Sequence, residues 1–173
     1  MINNTVHGAR LAGPDDNEQP ALSPVSPPLS AKPAPAEQAV HDLDILIAED
    51  NEVNQMFARH VMNEFGYKYK IVENGALAVE KWKLLRPKLI LMDLSMPKMN
   101  GYEATQTIRD LEKAGGLPRT PIIAVTAHAM KDDREKCLDA GMDDYMSKPL
   151  AVNSLKACLQ KWLVENQDIK QTG

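Results

Sequence analysis

From Leu43 onward the chain repeats one pattern, a short apolar run that stops on a polar side chain and then apolar residues at helical spacing. Leu43 to Ala48 (LDILIA) closes on Glu49-Asp50-Asn51, and Val53, Phe57, Val61 and Phe65 then recur at every fourth position up to Gly66. That predicts strand, acidic loop and helix, with Gly66 as the C-cap. Tyr69 to Val72 gives a second strand with Lys68 and Lys70 alternating outward, the mark of an edge strand. Asn74-Gly75 opens a helix carrying Val79 and Trp82. Leu89 to Met92 is a third strand that stops on Asp93, and Pro97 and Gly101 bracket a loop. A helix follows from about Tyr102 to Lys113, with Thr105, Ile108 and Leu111 or Glu112 on one side, and Gly115-Gly116 and Pro118 end it. Pro121 to Thr126 (PIIAVT) is the fourth strand, and a polar helix spans roughly Lys131 to Ala140 before Gly141. Asp144 to Lys148 makes a short fifth strand, and Val152, Leu155, Leu159 and Trp162 or Leu163 mark a last amphipathic helix. Ala151 offers that helix no side-chain cap, so Asn153 is the expected cap.

Strands alternating with helices require a parallel sheet covered on both faces, because parallel strands need crossover connections and bury both sides. The apolar strands one, three and four take the centre and two and five the edges. The expected fold is therefore α/β, a flavodoxin-like (βα)5 with a central five-stranded sheet in the order 2-1-3-4-5. In such sheets ligands bind beyond the carboxyl ends of the strands, at the switch point between strands one and three. Those ends carry Glu49-Asp50 and Asp93.

Composition sets the first 42 residues apart. They hold Pro14, Pro20, Pro24, Pro27, Pro28, Pro33 and Pro35, seven of the twelve prolines, and no aromatic residue precedes Phe57. Such a stretch buries too little apolar surface to offset its ordering entropy, so 1–42 is expected to be a disordered Pro/Ala/Ser-rich tail or linker. It carries two basic residues against five acidic ones, leaving 18 against 19 in the remainder. A nearly neutral domain has no basic footprint for nucleic acid. Cys137 and Cys158 lie far apart and without metal-ligand spacing, as packed thiols in a reducing compartment do. No apolar run approaches the ~20 residues of a membrane span, and nothing near Met1 resembles a secretory h-region. The expectation is a soluble cytoplasmic protein without nucleic-acid or membrane partners.

Three converging carboxylates change the picture most. Two unit charges about 4 Å apart repel by ~4 kcal/mol at an effective dielectric of 20, so the crevice calls for a cation. A hard divalent ion with oxygen ligands fits, and Mg²⁺ suits one or two carboxylates, waters and a phosphate. The fourth strand ends in the Thr126 hydroxyl and the fifth in the Lys148 ammonium, groups suited to phosphoryl oxygens. A carboxylate nucleophile, a metal and two oxygen-binding groups describe phosphoryl transfer to aspartate, with Asp93 as acceptor.

Here the chain resembles the receiver domain of two-component signalling, the response-regulator family, from about Leu43 to Leu163. The resemblance rests on Glu49-Asp50, on Asp93 followed by Met96-Pro97 and Gly101, on Thr126-Ala127 and on Lys148-Pro149, with spacings of 43, 33 and 22 residues between Asp50, Asp93, Thr126 and Lys148. It implies that Asp93 takes a phosphoryl group from a phosphohistidine on a histidine kinase or a histidine phosphotransfer protein. It implies Mg²⁺, or Mn²⁺, bound directly by Asp50, Asp93 and the Ser95 backbone carbonyl, with Glu49 acting through water. It further implies that Thr126, Ala127 and Lys148 meet the phosphoryl group, that Thr126 and Tyr145 form a switch pair, and that the bond to Pro149 is cis. The output would be a changed surface at the fourth helix, fifth strand and last helix, offered to a downstream protein.

Glu49-Asp50-Asn51 with Val53-Asn54-Gln55, and Thr126-Ala127-His128-Ala129-Met130, resemble receivers attached to hybrid histidine kinases. No kinase core lies in these residues, so the expected organisation is a tail over 1–42, a receiver over 43–165 and a short tail over 166–173. The chain would be a stand-alone receiver or the terminal piece of a hybrid kinase. Two other classes stay open. An aspartate-nucleophile phosphatase needs a second aspartate two positions after the first, where Ser95 stands, and a binding-only receiver would leave Asp93 unphosphorylated. His128 reads as an exposed loop histidine, Met130 and Cys137 as packing residues, and His7, His41 and His60 have no partner motif.

Overall fold

The structure is a computed structural model that describes residues 43–127 and 131–165. The expectations for the proline-rich stretch, for His128 and Met130 and for 166–173 lie outside the described residues.

Five parallel strands, β1 (Ile45–Ala48), β2 (Tyr69–Val72), β3 (Leu89–Asp93), β4 (Ile122–Thr126) and β5 (Asp144–Ser147), form one sheet in the order 2-1-3-4-5. The helices are α1 (Glu52–Phe65), α2 (Gly75–Leu85), α3 (Gly101–Gly115), α4 (Lys131–Asp139) and α5 (Val152–Gln160), and α5 runs on into a π-helical turn over Lys161–Glu165. β1, β3 and β4 are buried at every position, whereas β5 alternates and β2 is buried only at Val72. The apolar strands are thus central and the mixed ones form the edges, as the pattern predicts.

Because successive strand side chains point to opposite faces, each central strand feeds two cores. Leu46, Ile90, Met92 and Ile122 pack with Trp82 of α2 and Ile108 of α3. Ile45, Leu89, Leu91 and Ile123 pack with Val61 and Met62 of α1 and with Leu155, Leu159 and Leu163 at the C-terminal end. Phe57, Val61 and Phe65 of the predicted α1 stripe pack against this second core, joined by buried Ala58 and Met62, while Val53 departs from it at 74% exposed.

Asparagines start three of the helices. Asn51, Asn74 and Asn100 accept first-turn amides of α1, α2 and α3, and Glu103 reaches back to the Asn100 N–H to complete a capping box. Each such cap contributes ~1 kcal/mol. At α5 the expectation fails, since the helix begins at Val152 after Ala151, without a side-chain cap, and Asn153 lies within its first turn. The Ala151 carbonyl already accepts the Leu155 N–H, which fixes the start by backbone bonding. Among the described residues no helix is long and apolar enough to cross a membrane.

Candidate functional site

The carboxyl ends of β1, β3, β4 and β5 deliver the polar side chains that the sequence places there. Glu49 and Asp50 follow β1, Asp93 is the last residue of β3, Thr126 the last of β4, and Lys148 follows β5. Parallel register explains the convergence: Ala48 is aligned with Met92, Asp93 with Val125 and Thr126 with Ser147, so the strands stop level with one another.

Glu49 and Asp93 are 5% and 4% exposed, while Asp50 is exposed at the mouth. One oxygen from each of the three carboxylates lies within 4.8 Å of the others. Buried carboxylates of like charge persist only with compensation, and Lys148 supplies part of it. Its Nζ lies 2.7 Å from Glu49 Oε2 and 2.7 Å from Asp93 Oδ2. Burial opposes the charge on Lys148, but the hydrogen bonds and charges of Asp93 and Glu49 outweigh it and raise the ammonium above the ordinary lysine range. The other Asp93 oxygen, Oδ1, accepts the Ser95 N–H at 3.1 Å. Net charge in the cluster is still negative, and its free donors are hard oxygens, the chemistry a small divalent cation requires.

The loop from β3 to α3 is folded tightly under this cluster. The Gly101 N–H donates to the Leu94 carbonyl, and the Gly75 N–H donates to the Met99 carbonyl, tying the loop to the start of α2. A Cβ at Gly101 would fall on the Asp93 carbonyl and the Leu94 Cα, so the glycine is required by this close approach. Met96 is buried beneath the loop while Ser95 and Pro97 are exposed.

The remaining predicted residues fall as follows. Thr126 is 7% exposed, its carbonyl accepts the Lys148 N–H at 2.7 Å, and Ala127 after it is exposed. The Lys148-Pro149 bond is cis. Tyr145, on edge strand β5, is 37% exposed and aligned with Ala124, two residues before Thr126. It therefore stands apart from the carboxylate cluster.

Two neighbours of the cluster carry no role in the sequence reading. Asn54 donates its side-chain amide to Glu49 Oε1 at 2.9 Å, and Gln55 donates its own to the Glu49 carbonyl at 2.7 Å. The signal was present as two amide residues one helical turn after an acidic pair, which places them over it.

Fold and crevice together define a flavodoxin-like α/β domain with a carboxylate and lysine cluster at its switch point. The chain belongs to the response regulator receiver domain family, whose model matches residues 45–160. It is 43% identical over 111 residues to hybrid signal transduction histidine kinase I of Dictyostelium discoideum, an alignment covering 61% of this chain and 6% of that protein. The chain spans 6–15% of the length of the first curated histidine kinases that it matches. Among solved structures, the receiver domain of a sensor histidine kinase from Pseudomonas aeruginosa PAO1 is 42% identical with a TM-score of 0.63, covering 70% of this chain and 97% of that one. That structure holds a magnesium ion coordinated in its active site cleft. The receiver domain of the Saccharomyces cerevisiae response regulator Ssk1, crystallised with the histidine phosphotransfer protein Ypd1, is 34% identical with a TM-score of 0.66, covering 70% of this chain and 88% of that one.

Proposed function

We propose that residues 43–165 act as the phosphoryl-accepting receiver of a cytoplasmic phosphorelay, with Asp93 as acceptor and a histidine kinase or histidine phosphotransfer protein as donor. The observation that carries this reading is the Asp93 carboxylate itself. It is buried at a strand end, held by the Ser95 N–H and by Lys148, with Glu49 and Asp50 beside it.

A carboxylate oxygen of Asp93 attacks the phosphorus of the donor phosphoimidazole. An O–P bond forms, the P–N bond breaks, and the imidazole leaves with the bonding pair. Asp50, Asp93 and the Ser95 backbone carbonyl would hold Mg²⁺, or Mn²⁺, with Glu49 joining through water. The bound ion would supply positive charge to the transferring phosphoryl oxygens. Lys148 shifts its ammonium from the Asp93 oxygen to a phosphoryl oxygen, and the Thr126 hydroxyl and Ala127 N–H donate to the others. Movement of Thr126 opens space behind it for the Tyr145 ring, which biases the surface of α4, β5 and α5 toward a downstream partner. In this reading the domain assists its own phosphorylation and dephosphorylation while turning over no other substrate.

The test is incubation of the full chain with a small acyl phosphate and Mg²⁺, read by intact mass. One phosphoryl group is expected on the wild type and none on Asp93→Ala or on wild type with excess chelator. Undiminished labelling of Asp93→Ala overturns the assignment.

A further inference from the structure

Glu49 is held through one carboxylate oxygen by the N-cap residue and first turn of α1. Its Oε1 accepts two hydrogen bonds, from the Asn51 N–H at 3.2 Å and from the Asn54 side-chain amide at 2.9 Å. Its Oε2 is left to the crevice, where Lys148 meets it at 2.7 Å. The backbone beneath is fastened as well, because the Gln55 amide holds the Glu49 carbonyl at 2.7 Å. The two amides thus do different work, one on the carboxylate and one on the main chain. Asn54 is itself held, since its N–H donates to the Asn51 cap at 3.2 Å and the residue lies half-buried in the first turn of α1.

The chemistry of the donor matters, because a carboxamide N–H orients a carboxylate without adding a second positive charge beside the Lys148 ammonium. With Oε1 holding two hydrogen bonds, rotation of the Glu49 carboxylate costs both, so Oε2 stays beside the Lys148 ammonium that also meets Asp93. We infer that Asn54 is a positioning residue for the divalent cation, acting by fixing the Glu49 carboxylate so that one oxygen faces the site. This rests on the crevice being the cation site proposed above. Partners that orient metal-site carboxylates typically change metal affinity by about 10–100-fold when removed.

The experiment is Mg²⁺ binding to the full, unphosphorylated chain by titration calorimetry, with no phosphodonor present. Asn54→Ala and the near-isosteric Asn54→Leu are expected to weaken Mg²⁺ binding by about tenfold. Gln55→Ala, which loses a bond to the Glu49 main chain and one from Arg59 but none to the Glu49 carboxylate, should stay within about threefold. In a Glu49→Gln background, Asn54→Ala should cost nothing further, because a residue that acts through Glu49 loses its effect once Glu49 is gone. Unchanged affinity in both Asn54 variants overturns the inference, and so does an equal loss in the Glu49→Gln background. If the wild type itself takes up no Mg²⁺, the reading of the crevice falls first. Wild-type binding with indifferent Asn54 variants overturns this inference alone.

Discussion

At the amino end of the sheet, Asp44 pairs with Lys88 at 2.8 Å, Glu112 with Arg109 at 2.6 Å, and Asp143 with Arg109 and Arg119 at 2.8 and 2.9 Å. At the carboxyl end, Glu49, Asp50 and Asp93 crowd within 4.8 Å, and one ammonium is shared by two of them. The first arrangement saturates its groups. Arg109 donates through Nε to the Gly141 carbonyl, through one terminal nitrogen to Glu112 and the Thr120 carbonyl, and through the other to Asp143. Glu112 in turn accepts the Thr120 N–H, and Asp143 accepts the Ile122 N–H that opens β4. The second arrangement sets three carboxylates against one ammonium, with Glu49 and Asp93 buried and Asp50 exposed. Both clusters sit at strand ends of one sheet, so position does not separate architecture from chemistry. Charge balance does, and it gives mutations at the two ends opposite signs.

The largest effect belongs to the amino end. Arg109→Leu strands buried Glu112 and takes one partner from Asp143, and breaking a buried pair on one side typically costs about 3–5 kcal/mol. A loss of about 3 kcal/mol in urea unfolding is expected, since Arg119 still reaches Asp143. Mg²⁺ affinity of the folded variant should be unchanged. A loss below about 1 kcal/mol would erase the contrast, because exposed ion pairs already reach that value.

The carboxyl end should answer with the other sign. Asp50→Asn removes one of three repelling charges, and charges 4.8 Å apart repel by about 0.9 kcal/mol even at the dielectric of water. In chelator the variant is therefore expected to be more stable than the wild type by about 0.5–1 kcal/mol. Added Mg²⁺ should reverse the order, since a ligand of the native state stabilises in proportion to its affinity. A variant less stable in chelator would show the carboxylates to be structural after all.

The crevice is legible in the sequence because its members stand at the ends of strands that the pattern marks, and a strand end is visible one residue at a time. The Arg109 cluster was out of reach because its members come from α3, the following loop and the turn before β5, joined only by tertiary folding. Glu112 entered the pattern merely as an alternative to Leu111 on an apolar side, and a buried glutamate looks like a misplaced polar residue until its arginine is found. The α1 stripe departs at its first member for a related reason. Periodicity names Val53, Phe57, Val61 and Phe65, but tertiary packing decides which of them are covered, and Val53 is left 74% exposed. Trp82 shows both sides of this, legible as a core residue, whereas its N–H bond to Thr120 at 2.9 Å was not.

The smallest effect lies at Asp144, the first residue of β5, where a half-buried carboxylate pairs with an exposed lysine. Burial raises its carboxyl, but the hydrogen bonds of Lys161 at 2.6 Å, of the Trp162 indole at 3.1 Å and of the Tyr145 N–H at 2.9 Å outweigh it, holding the group below the ordinary aspartate range. A carboxylate with a folded value below its unfolded one stabilises fully above the unfolded value and loses that contribution as pH falls through the folded one. Asp144→Asn should therefore lower the melting temperature slightly near neutral pH, within the ~1 kcal/mol ceiling of exposed pairs. The difference from wild type should close as the pH drops below the aspartate range, and a difference that persists in acid would assign the effect to packing. A second reading comes from Cys158 nearby, whose thiol burial and then the Asp144 charge push up to about 11. Removing that charge lowers the thiol, so alkylation of Cys158 in Asp144→Asn should be faster than in wild type at the same alkaline pH. Because the Lys161 charge acts on the thiol in the opposite direction, Lys161→Met should slow the same reaction, and equal rates in all three proteins would remove Asp144 from the set of groups whose charge is felt across this end of the sheet.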